Sequence, residues 1–169
     1  MAKAHRQAVT DRSAWRGEDL AKRPEEWTYR LTAADVGEID AALAMARASG
    51  KPATKLASGD FRLERLAATF SRIATEVNDG RGFFLVKGLP IERYSPQDAE
   101  LLIAGVGSHF GSGITQNAFG DIIGHVRDIG AKLGQKDVRG YDTNSELRYH
   151  NDECDLITLL CLQIGRAHV

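Results

Sequence analysis

Cysteine is scarce in this chain: Cys154 and Cys161 are its two, among 169 residues. That is too few for a disulfide framework. Both fall on one apolar stretch at an odd spacing, which places them on opposite faces of an extended backbone and keeps them from pairing with each other. Free thiols suit a reducing compartment, and a cytoplasmic location is the expectation. An excess of charge of either sign is also missing. Lys and Arg number 22 against 23 Asp and Glu, for a net charge of −1, so there is no electrostatic footprint for nucleic acid or an anionic membrane surface. No apolar run approaches the roughly 20 residues that span a bilayer. The opening M-A-K-A-H-R-Q-A-V-T-D-R has charge without an apolar core, so a secretory leader is not expected. The glycines stand at no phosphate-loop spacing and no G-K-[ST] follows them, which argues against nucleotide binding.

What is present is an ordinary globular composition, 43% apolar and 27% charged, long enough for one domain with a sizeable core. Residues 1–26 are mostly polar. Within them W-R-G-E-D-L reads either as a helical turn that docks Trp15 on the domain or as part of a frayed arm. Pro24 before two acids is a helix start. T-A-A-D-V-G-E-I-D-A-A-L-A-M-A-R-A-S-G predicts a helix. Thr32 is its N-cap, Asp35 lies in its first turn, and Val36, Ile39, Leu43 and Ala46 form one face. Gly50 ends it and Pro52 prevents continuation; the region of Met45 reads as core packing. A second helix is expected from about Leu63 to Asn78, with Leu66, Phe70, Ile73 and Val77 as its apolar stripe. A third begins at Ser95 (cap) and Pro96, with Asp98 in the first turn and Ala99, Leu102, Ile103, Val106 and Phe110 inward. His109 sits near its C-terminal end, where an imidazolium meets the helix dipole favourably.

Between and after the helices the pattern changes. Phe83–Val86, bounded by Gly82 and Gly88, predicts a short strand buried on both faces. Residues 122–129 alternate and can form a strand. On it, Asp128 closes a turn or pairs with a cation, and His125 either lines a pocket or, as a single His on a strand more often is, is structural. Gln116 and Asn117, on the polar turn before it, either bind a substrate or satisfy loop backbone. A long polar connection then runs from Ala131 to Glu146, a length typical of lids or disordered segments. Leu156–Leu162 is an apolar run that reads as a buried strand.

Just ahead of that run stands His150-Asn151-Asp152. On an extended backbone residues i and i+2 share a face, so an imidazole and a carboxylate project together. These are two of the three side chains of the 2-His-1-carboxylate set that holds non-haem Fe(II) with open positions. The same triplet also occurs as a polar strand end with a surface His and a solvated Asp. By the same parity Glu146 and Arg148 face the metal side, as substrate contacts or as a surface ion pair, while Tyr149 and Asn151 face away.

The whole run Y-H-N-D-E-C-D-L-I-T-L-L-C-L resembles the iron-binding segment of the taurine catabolism dioxygenase (TauD/TfdA) family. The resemblance extends back to about Trp27 and is most specific from Gly82 onward, through G-R-G-F-F-L-V-K-G-L-P-I, Q-N-A-F-G-D and V-R-D-I-G. It implies an α+β protein, with N-terminal helices packed on part of a double-stranded β-helix, or jelly roll. It implies His150 and Asp152 as metal ligands, Fe(II) as cofactor, 2-oxoglutarate as cosubstrate, and O2 and a small organic molecule as reactants. In that family a distal His and a basic residue for 2-oxoglutarate come from further along the chain, so the expectation is a truncated, inactive N-terminal piece: an arm over 1–26, an incomplete dioxygenase domain over 27–163, and a non-native tail over 164–169. His168 lies too close to the first pair to be the third ligand. The rival readings are a non-catalytic jelly-roll binding module and a cupin-like metal protein.

Overall fold

The computed structural model describes residues 8–116, 120–135, 138, 140–146, 149–152 and 154–163. Its regular elements are α1 (Gly17–Ala21), β1 (Thr28–Arg30), α2 (Ala33–Ser49), α3 (Arg65–Asp79), β2 (Leu85–Lys87) and α4 (Pro96–Gly107), with short 3-10 turns between them. Among the described residues no helix is long and apolar enough to cross a membrane.

The helices start where local chemistry starts them. Thr32 and Asp35 form a reciprocal capping box on α2, and Gly50 closes it in the left-handed region at φ 65, where a side chain would be strained. Ser95 and Asp98 form the same box on α4, with Pro96 in its first turn. The start of α3 is different. Its N-cap residue, Glu64, makes no side-chain cap bond. Instead Glu38, one element away on α2, accepts from the backbone N–H groups of Glu64, of Arg65 at 2.7 Å and of Leu66 at 3.1 Å. One carboxylate therefore satisfies three orphan donors and meets the positive end of the helix dipole. Glu38→Ala is expected to cost about 1 kcal/mol, read as a lower midpoint in chemical denaturation with an unchanged slope.

The core lies where α2, α3 and α4 meet. Ile39, Leu43 and Ala46 of α2, Leu66, Phe70 and Ile73 of α3, and Leu102 of α4 are buried around Phe61, which is 0% exposed. Val36 and Val77 border this cluster. Met45 does not join it and is 41% exposed. Two residues on from Leu43, it is turned some 200° around the helix, so the expectation of core packing fails there.

β1 and β2 pair in parallel, with Thr28 opposite Leu85 and Arg30 opposite Lys87. The crossover between them carries α2 and α3, the length that parallel pairing requires. β2 corrects the expected strand. It begins at Leu85, and its three residues are exposed rather than buried on both faces.

Residues 122–129 correct it again: no strand is formed there. Two backbone bonds, Arg127 N to Tyr141 O and Ile129 N to Asp142 O, both at 3.0 Å, tie the segment to the turn at Gly140–Asp142. Asp128 closes the following turn by accepting from Gly130 N at 2.8 Å. Leu156–Leu162 is extended but is neither paired nor buried. Leu156, Thr158 and Leu160 are half-buried, whereas Ile157, Leu159 and Cys161 are exposed. Leu160 packs on the helical core. The burial alternates with period 2, and one face of the run lies in solvent.

Candidate functional site

The His-x-Asp pair stands just ahead of the apolar run, outside any regular element. Tyr149 turns fully outward, and the side chains on either side of Asn151 come together: His150 Nε2 lies 3.6 Å from Asp152 Oδ1, each side chain about half exposed.

At that separation one divalent ion can touch both atoms at the roughly 2.0–2.2 Å usual for nitrogen and oxygen ligands. An imidazole and a carboxylate also match the donor set of non-haem Fe(II). The pair fits as part of such a centre. Among the described residues no third His, Cys, Asp or Glu completes a metal-holding group. Cys154 is half-buried and Cys161 exposed, and both are free.

The other residues singled out from the sequence are placed differently. Gln116 donates its side-chain amide to Ile114 O at 3.1 Å and its backbone N–H to Asp121 O at 2.6 Å, so its polar groups serve its own loop. Glu146 is exposed. Asn117 and Arg148 lie outside the described residues, as does the 164–169 tail. His109 donates from Nε2 to Phe61 O at 2.7 Å with its ring beside Phe70, so it ties the end of α4 to the core and takes its place past the helix rather than over the dipole. His125 lies 3.2 Å from Glu100 of α4.

The sequence reading missed a second polar feature. A cleft of ≈ 360 Å³ is lined by Arg12, Glu25, Glu26, Arg72, Glu76, Arg81 and Phe84. At its floor Arg81 bonds Glu76 at 2.6 Å and pairs with Glu26. Burial pushes the Glu76 carboxyl up, but the Arg81 guanidinium and backbone N–H, with the Arg12 charge, outweigh it and hold Glu76 below its ordinary value. These residues come from three places in the chain, so no local motif announces them.

No family model matches the chain. Two characterised proteins are similar to it. FR-33289 synthase of Streptomyces rubellomurinus is 30% identical over 163 residues, covering 96% of this chain and 48% of that protein. Taurine hydroxylase-like protein SAT17 of Stachybotrys chartarum is 28% identical over 163 residues, covering 92% of this chain and 42% of that protein. Their names support a TauD-like family of enzymes. The chain spans about half the length of the relatives it matches.

Proposed function

We propose that this chain supplies His150 and Asp152 to the Fe(II) centre of a 2-oxoglutarate-dependent, TauD-like dioxygenase that oxidises a small organic substrate. The observation that carries the reading is the 3.6 Å approach of His150 Nε2 to Asp152 Oδ1, in a chain similar to a taurine hydroxylase-like protein. When bound, Fe(II) with 2-oxoglutarate supplies O2 activation.

The chain's own part is positional. His150 offers a neutral imidazole nitrogen and Asp152 an anionic oxygen from the same side of one backbone, which leaves the opposite side of an ion open to other ligands. Leu160, packed on the core, anchors the far end of the segment and limits its freedom. With two protein ligands the binding is weak, and turnover belongs to a protein that adds the third ligand and a cation for the cosubstrate.

Anaerobic titration of the chain with Fe(II), or with Co(II) as a spectroscopic probe, tests this. One ion is expected to bind, with affinity falling at least about tenfold in His150→Ala and again in Asp152→Ala. Equal binding by the wild type and the double variant would leave an ordinary surface pair, as a non-catalytic module predicts.

A further inference from the structure

The stretch ahead of β1 gives nothing to the core: the buried cluster begins at Leu31, and α1 has no buried residue. It is nevertheless held at defined points. Arg12 reaches both carboxylate oxygens of Glu76, at 3.0 and 2.8 Å. Trp15 donates its indole N–H to Arg81 O at 2.8 Å and sets its ring edge-on to Phe83 at 5.2 Å. Trp27 tilts its ring against the same Phe83, with centroids 5.7 Å apart, and donates its own indole N–H to Leu20 O at 3.0 Å. Glu26 pairs with Arg81.

Two physical consequences follow. First, the arm supplies Arg12, Glu25 and Glu26 to the cleft, while Arg72, Glu76 and Arg81 belong to α3 and the loop after it. The cleft exists only while the arm is in place. Second, the fastening is weak in a specific way. The Arg12 side chain is 60% exposed, and exposed ion pairs are screened by salt. Trp15 is 46% exposed, so its ring forgoes much of the burial that would hold it. Segments with few buried apolar contacts open well below the global unfolding free energy.

We propose that residues 11–27 are a releasable strap: fastened, they assemble the mixed-charge cleft beside α3; released, they dismantle it while the α2–α4 core stays folded. The strap acts independently of the metal reading above.

The chain's two tryptophans both sit in the clasp, so Trp emission reports the strap alone, whereas far-UV circular dichroism reports the helices. On raising NaCl from about 0.01 M to about 1 M, where the screening length shrinks roughly tenfold, acrylamide quenching of Trp is expected to rise about twofold with the dichroism unchanged. Arg12→Ala should show the high-salt quenching already at low salt, and Arg12→Lys should recover much of the wild-type value. Trypsin should cut after Arg16 or Lys22 before any site in α2–α4, and sooner in Arg12→Ala. Equal quenching and equal cutting in wild type and Arg12→Ala, with Trp emission and dichroism changing only together, would overturn the strap.

Discussion

Phe61→Ala is expected to remove about 4 kcal/mol of stability, a large part of the 5–15 kcal/mol that holds a typical domain, and to lower Tm by roughly 10 °C or more. Phe61 is 0% exposed and is touched from two sides that ordinary core residues lack. Its backbone carbonyl accepts the His109 imidazole at 2.7 Å. Its ring lies so close to Gly105 of α4 that a Cβ there would overlap it. The helix–loop contact is thus built on one large side chain against one missing side chain. That pairing makes a companion prediction. Gly105→Ala, which on helix propensity alone would stabilise by ~1 kcal/mol, is expected to destabilise by about 1–3 kcal/mol through overpacking. Phe61→Leu combined with Gly105→Ala should cost less than the sum of the two single changes, because the smaller side chain vacates the space the methyl needs. Thermal and urea denaturation of the four proteins measures the coupling, and strict additivity would show that the two positions do not meet.

Neither half of this contact is legible in the sequence, whereas the helix it joins is. Ser95, Pro96 and Asp98 announce the start of α4, and Thr32 and Asp35 that of α2, because each cap is satisfied within four residues. Glu38 capping α3 is invisible for the opposite reason: acceptor and donors are 26 to 28 residues apart. β1 was not foreseen at all. Thr28–Arg30 is three residues long, too short for alternation to show, and its pairing with Leu85–Lys87 is decided by the crossover between them. Phe83–Val86 and Leu156–Leu162 err in the same direction. An apolar run states that a segment prefers to be covered, but the cover comes from elsewhere in the chain: Trp15 and Trp27 lie against Phe83 and Leu160 packs on the core, while Leu85, Val86, Ile157 and Leu159 stay exposed.

The candidate site divides along the same line. The approach of His150 to Asp152 involves residues only two apart, so the two side chains can be paired from the sequence alone. The roles offered for Gln116 and Glu146 depended on which loops face the pair, a tertiary property. The loop at Gln116 turned out to use that side chain's amide on its own backbone. The mixed-charge cleft, drawn from the arm, α3 and the loop before β2, is tertiary throughout.

Asp98 carries the second large effect. It closes the capping box of α4, accepting from Ser95 N at 3.0 Å and from the Ser95 hydroxyl at 2.7 Å. It also accepts from Arg47 Nε at 2.8 Å, with a second Arg47 nitrogen 2.8 Å from its other oxygen. Arg47 stands in the last turn of α2, so one carboxylate joins the end of α2 to the beginning of α4. Asp98→Ala loses the cap, ~1 kcal/mol, and a charge-assisted bond worth about 1.5–3 kcal/mol, for an expected total near 3 kcal/mol.

The same contacts fix a pH dependence. The Arg47 guanidinium, then the Ser95 hydroxyl, hold the carboxyl well below its ordinary value of 3.8. The unfolded chain therefore binds the proton more readily than the folded one, and stability falls as pH falls through that window. Above pH 3.8 the contribution is complete; it drains away as pH drops toward the folded value. Asp98→Asn keeps an oxygen for the cap but has no proton to gain. The stability gap between wild type and Asp98→Asn, followed by urea denaturation, should therefore be widest near neutrality and close as pH falls from about 4 toward 2. Asp35, held down chiefly by the Thr32 hydroxyl, is present in both proteins and cancels from the difference. A gap that stayed constant across that range would mean that Asp98 serves α4 through its shape alone and that the Arg47 charge adds nothing to the join between the two helices.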